Sequence, residues 1–167
     1  MKTHDVIQSQ FHAALAMLRQ TIERCPDPLW IEPTSTQPFW HIAYHALFYT
    51  HLYLQPTEAD FSPWAHHRKD IQSLGKPPWS PRQQPSAEEI YTKAQVLDYL
   101  AFCADQVDAQ IPALDLEAAS GFHWLPFSKL ELQIYSIRHL QQHNGELDER
   151  LGQQGIEVNW VGRGPSL

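Results

Sequence analysis

Residues 128–152, SKLELQIYSIRHLQQHNGELDERLG, decide the fold. Ser128 and Glu131 have the spacing of a capping box that opens a helix, and Gly152 supplies its stop. Between them Leu132, Ser136, Leu140, Leu147 and Leu151 mark one face of that helix. His139 and His143, four residues apart, project from the same side one turn from each other. Two imidazoles directed into an apolar interior cost free energy unless they find partners, and a shared metal ion would satisfy both at once.

Working outward, residues 38–55, PFWHIAYHALFYTHLYLQ, read as a second helix, capped by Thr36, tolerant of Pro38 in its first turn and ended by Pro56. At the amino-terminal end, Val6/Ile7, Phe11, Ala14/Leu15, Leu18 and Ile22 predict an amphipathic helix from about His4 to Arg24, stopped by Pro26 and Pro28. The stretch through Ile31, Pro33 and Thr36 reads as an irregular turn. A further capping box, Ser86-Ala87-Glu88-Glu89, predicts a helix that carries Ile90, Ala94, Leu97, Ala101, Ala104 and Ile111 on one side and stops at Pro112.

From Pro56 to Pro85 the chain carries six prolines, Trp64 and Trp79, with no sustained periodicity. So long a connection is uncommon unless it covers a site or is disordered, and the tryptophans favour a loop folded over the metal end of the helices. Residues 153–167 form a tail in which Ile156, Val158, Trp160 and Val161 suggest partial packing. Four long helices, no strand pattern and no repeat predict an all-α fold, a four-helix bundle in one domain spanning residues 1–167.

Composition narrows the function. Of 167 residues 43% are hydrophobic and 19% charged, ordinary globular usage rather than that of a disordered chain. Twelve basic against nineteen acidic residues give a net charge of -7 without a basic run, which argues against nucleic acid as a partner. No apolar stretch has membrane-spanning length, and the opening MKTHDVIQSQ lacks the apolar core of a secretory signal, so a cytoplasmic protein without a membrane partner is expected. Cys25 and Cys103 stand far apart without metal-ligand spacing and read as buried free thiols.

The ten histidines separate by position. His139 and His143 need a third ligand, and the second helix offers His41 and His45 on one face, with His51 turned away. Three imidazoles from two helices make an open site, the arrangement of catalytic metal centres. A di-iron carboxylate site is excluded, because neither helix carries the Glu-x-x-His pair it needs. All-nitrogen donation suits zinc, nickel, copper or iron. His66-His67 read as exposed neighbours, and His123-Trp124 as loop residues near a pocket mouth. Arg68, Lys69, Arg82 and Arg138 read as solvated charge, with a carboxylate or thiol clamp as the alternative, and Tyr44, Tyr49 and Tyr135 as aromatic packing near the ligands.

An apolar helix with an internal His, IAYHALFYTHLYL, followed by a last-helix RHLQQHNGEL, resembles the DinB/YfiT-like metalloenzyme superfamily. The usual family ending is His-x-Gly-Gln-Leu, and Glu146 here replaces the Gln, adding a charge where a hydrogen bond to a ligand is expected. The resemblance implies an up-down-down-up bundle, often a homodimer, with one divalent metal, nickel or zinc, held by His45, His139 and His143; His41 is the alternative to His45. It also implies a small-molecule substrate, with a low-molecular-weight thiol as co-substrate in thiol S-transferase relatives. The expected function is a metal-dependent enzyme in which the ion activates a thiol or, less favoured, water. No catalytic side chain is assigned, and Glu146 serves to orient His143. The alternative is a non-catalytic stress-response protein that binds metal and a small ligand. The family name records induction by DNA damage, not contact with DNA.

Overall fold

A computed structural model describes residues 2–32, 37–75 and 89–164. The described residues form α1 (Thr3–Arg24), α2 (Asp27–Ile31), α3 (Phe39–Tyr53), α4 (Lys93–Gln110) and α5 (Lys129–Gly152), and no strand. None of the described helices is long and apolar enough to cross a membrane. The fold is all-α.

The first helix follows its apolar stripe, with Ile7, Phe11, Ala14, Leu15, Leu18 and Ile22 buried and Val6 left partly exposed. The predicted irregular turn after it contains a short helix instead. Pro28 sits in the first turn of α2, where no intrahelical donor is required, so a residue read as a terminator also starts an element. Leu29 and Trp30 of that helix are buried. The expected cap Thr36 lies outside the described residues; Pro38 occupies the position before α3.

The opening of α4 differs from expectation. Ser86, Ala87 and Glu88 lie outside the described residues, while Glu89 and Ile90 precede the helix. Its cap is Thr92, whose hydroxyl accepts from the Gln95 N–H at 3.2 Å while the Gln95 side chain accepts from the Thr92 N–H at 2.9 Å. Tyr91 is held outside the helix because its carbonyl accepts from the Trp30 indole at 2.9 Å and its hydroxyl donates to the His66 carbonyl at 2.8 Å. The last helix starts where Ser128 accepts from the Glu131 N–H at 3.2 Å.

The long helices share one buried core, α1 packing against α4 and α5, and α3 against the same two. Gln8 and His12 in the first half of α1 each meet Asp108 near the end of α4 at 2.6 Å. The Asn144 amide donates to the Ala14 carbonyl at 2.8 Å, and the Thr21 hydroxyl donates to Asp148 at 2.6 Å, so α1 and α5 run the same way. The Gln133 amide donates to the Tyr53 carbonyl at 2.9 Å, joining the start of α5 to the end of α3.

Nearly every residue of α3 is buried. Helices cover one side, and the segment after Pro56 covers much of the rest, with Trp64 stacked on Tyr99 at 4.6 Å and Ile71 in the core. The proline-rich connection is therefore packed down at Phe61, Trp64, Ile71 and Leu74, whereas residues 56–60 are exposed and Trp79 and Arg82 lie outside the described residues. In the tail Ile156, Val158 and Val161 are half-buried against the body while Trp160 is 76% exposed, so the packing omits the tryptophan. The Gly164 N–H donates to the Ser9 carbonyl at 2.9 Å, and a side chain at Gly164 would run into His12 and Ser9.

At the opposite end from Arg24, Lys129 ties three segments together. The residue is 2% exposed, and its ammonium donates to the carbonyls of Gln55 at 3.0 Å, Pro56 at 2.7 Å and Ser120. Next to it Gly121 has a φ of +84°, and any side chain there would collide with the Pro56 carbonyl. Replacing the ammonium with an apolar group of similar length leaves three carbonyls without their donor. Lys129→Met is therefore expected to lose about 3 kcal/mol in urea denaturation, and a loss below about 1 kcal/mol would show that the carbonyls are satisfied without it.

Candidate metal centre

The apolar surroundings that bury α3 and α5 also bury the histidines between them. His45 and His139 are half-buried and His143 is 7% exposed. The ring centroids lie 5.1 Å apart for His45 and His139, 4.8 Å for His45 and His143, and 4.7 Å for His139 and His143. One ring nitrogen from each lies within 4.8 Å of the others. No other group of three or more His, Cys, Asp or Glu donors is as close among the described residues. Tetrahedral zinc with nitrogen at about 2.0–2.1 Å spaces its donors roughly 3.4 Å apart, so a modest inward rotation of the widest pair reaches that spacing.

The outer nitrogens set the tautomers. His45 Nδ1 lies 2.7 Å from the Gln72 carbonyl, which can only accept, so Nδ1 carries the proton and Nε2 presents its lone pair inward. His143 Nδ1 lies 3.1 Å from a carboxylate oxygen of Glu146, which fixes the same tautomer. The second Glu146 oxygen accepts from Arg150 at 3.1 Å, and Arg150 also donates to the Gln37 carbonyl at 2.8 Å. His139 is left in conflict. Its Nε2 faces His45 Nε2 at 3.2 Å and must donate there, and its Nδ1 is buried without a partner. A metal ion held by the Nε2 atoms of His45 and His139 would take the place of that N–H bond and leave the proton on Nδ1, so the three-imidazole donor set fits a divalent ion.

Burial pushes the His45 pKa down to about 3, opposed by the Gln72 carbonyl and assisted by the neighbouring imidazoles. Burial, with His143 nearby, brings His139 down to about 4. Both are neutral at pH 7, the form that binds metal. Folded-state values below the free-imidazole value of about 6.5 mean that this stability is fully present above that pH and is lost as pH falls through 4 to 3.

His41 faces the same side but is committed elsewhere, with Nδ1 3.1 Å from Gln37 and Nε2 2.6 Å from the Ile71 carbonyl. Gln37, His41 and His45 thus stand one turn apart and bond the carbonyls of Leu74, Ile71 and Gln72. His51 packs against Phe61 and Phe102, away from the triad. His66 is exposed, as read, but His67 is not a bystander: its Nδ1 pairs with the Tyr44 hydroxyl at 2.6 Å. His123 belongs to a different cavity, of about 700 Å³, lined by residues 117–123 and 125–128. Arg68 lies over the Tyr91 ring at 4.4 Å, and Lys69 is exposed.

Tyr49 packs on His45 at 4.8 Å and on His139 at 5.6 Å, and Tyr135 lies parallel to His139 at 6.5 Å. Outside His139 is a cleft of about 450 Å³ lined by Tyr135, Arg138, His139, Gln141 and Gln142. Sequence reading missed Gln72, which acts through its carbonyl and leaves no side-chain signal. It also missed Arg150, which the four-residue spacing from Glu146 does signal. No family model, no curated protein and no solved structure matches this chain.

In metal-free protein at pH 7, long-range proton–nitrogen spectra should show His45 protonated at Nδ1 and bare at Nε2, and His143 carrying a proton at Nδ1. A bare Nδ1 on either residue would contradict the geometry.

Proposed function

We propose that His45, His139 and His143 hold one divalent transition metal, nickel or zinc, and that the protein is a metal-dependent enzyme acting on a small molecule. The observation that carries this reading is the convergence of three imidazoles from α3 and α5, two of them with their lone pairs aimed inward by Gln72 and Glu146.

The DinB/YfiT-like relationship belongs to the same proposal. It is supported by the order of the helix contacts: α1 runs with α5 and against α4, and α3 runs against α5, the pattern of an up-down-down-up bundle in one domain. The motif residues fall at the site, including the Glu146 substitution, whose carboxylate orients His143 as an amide oxygen would.

An enzyme needs an exchangeable position, whereas a structural site is closed by a fourth protein donor. His41 and Glu146, the nearest candidates for closure, already have both nitrogens and both oxygens engaged, and His139 borders a cleft. These facts favour catalysis over a purely structural or storage role. When bound, the ion would supply Lewis acidity that lowers the pKa of a thiol or water. The chain holds the ligands, orients them and shields one side with Tyr49. Its own thiols are not the nucleophile: burial pushes Cys25 up to about 12 and Cys103 well above the ordinary range. A thiol would therefore arrive with the small-molecule co-substrate, and thiol transfer is preferred to hydrolysis on the motif resemblance alone.

Elemental analysis of protein purified without a metal-affinity tag should give one nickel or zinc per chain, and sub-stoichiometric metal after reloading would overturn the reading. His45→Ala, His139→Ala and His143→Ala should each weaken binding by about 100-fold or more while keeping the helical circular dichroism, and His41→Ala should change it little. Glu146→Gln should weaken it by about 10-fold at most, since an amide oxygen can still accept from His143. Loss of binding in His41→Ala with retention in His45→Ala would move the site one turn along α3.

A further inference from the structure

The charge around the triad is unbalanced, and this bears on what enters the site. Three neutral imidazoles leave both charges of a divalent ion uncompensated. Glu146 brings one negative charge to the back of His143, but Arg150 pairs with it at 3.1 Å and cancels it. No carboxylate lines the adjoining cleft among the described residues, and Arg138 does. Arg138 is exposed and makes no hydrogen bond or ion pair with another described residue. The most positive surface near the site therefore lies at His139 and Arg138, in a chain whose net charge of -7 otherwise repels anions.

Resting on the metal reading above, we propose that the cleft takes a small carboxylate-bearing molecule whose carboxylate pairs with Arg138 while the rest of it is directed toward the open side of the triad. A guanidinium matches a carboxylate with two parallel N–H donors, which a lysine could not do. Tyr135, Gln141 and Gln142 add a hydroxyl and two amides that fix orientation without adding charge. A cleft of about 450 Å³ suits a small metabolite rather than a macromolecule. Tyr135, Arg138, His139 and Gln142 follow the i, i+3, i+4, i+7 spacing of one helix face, so the anion pocket and a metal ligand are positioned by the same rigid element.

The test uses the full chain loaded with cobalt(II), whose visible bands respond to coordination, and compares benzoate with its neutral analogue benzamide. Benzoate should change the bands saturably, and benzamide at the same concentration should change them by less than about a tenth as much. Arg138→Gln should keep the cobalt bands and weaken benzoate by about 10-fold, equivalent to about 1.4 kcal/mol, with Arg138→Lys in between. Equal responses to benzoate and benzamide, or unaltered benzoate affinity in Arg138→Gln, would overturn the proposal and leave the metal reading standing. Failure to bind cobalt would remove the metal reading and the proposal with it.

Discussion

Each of the three imidazoles buried between α3 and α5 must dispose of two nitrogens, and much of the surrounding structure follows from how this is done. A buried polar atom without a partner costs about 1–3 kcal/mol, so two helices with otherwise apolar contacts would not bring histidines together without compensation. Outward-facing nitrogens are compensated by the Gln72 carbonyl and by Glu146. Glu146 in turn is held by Arg150, and Arg150 by the Gln37 carbonyl at the entry to α3. Of the inward-facing nitrogens, the Nε2 atoms of His45 and His139 meet at 3.2 Å, and a metal ion would give the three imidazoles a common partner.

The same requirement explains why the connection after α3 packs where it does. An apolar helix that is buried on nearly all sides needs a cover beyond its neighbouring helices. Residues 56–75 provide it with Trp64 and Ile71, and their carbonyls serve as acceptors for Gln37, His41 and His45. Covering the core and setting the His45 tautomer are thus done by one segment. His41 has the same helical phase as His45 but has one nitrogen on the Ile71 carbonyl of that segment and the other beside the Gln37 side chain, which separates two residues the helical wheel cannot distinguish.

Where the sequence repeats a strong physical signal, the reading and the structure agree. The stripes of α1 and α5, the Ser128 cap and the inward phase of His139 and His143 depend on local periodicity, which tertiary contacts reinforce. Where two signals compete, local reading fails. Ser86 to Glu89 and Thr92 to Gln95 both have capping-box spacing, and α4 opens at the second, where the Trp30 indole holds the Tyr91 carbonyl from 61 residues away. Pro26 and Pro28 end one helix and begin another, a distinction that depends on Trp30 finding the core. In the site, the convergence of His139 and His143 with a helix-two histidine was legible and the backbone acceptors were not, because a carbonyl such as that of Gln72 is common to every residue.

The account turns on whether the three histidines share one ion with a position left open. X-ray absorption fine structure of the zinc- or nickel-loaded full chain tests this most directly. It should show three imidazoles and one additional light oxygen or nitrogen scatterer, at about 2.0–2.1 Å for zinc. A sulfur scatterer, a fourth imidazole, or a shell of solvent oxygens alone would contradict it.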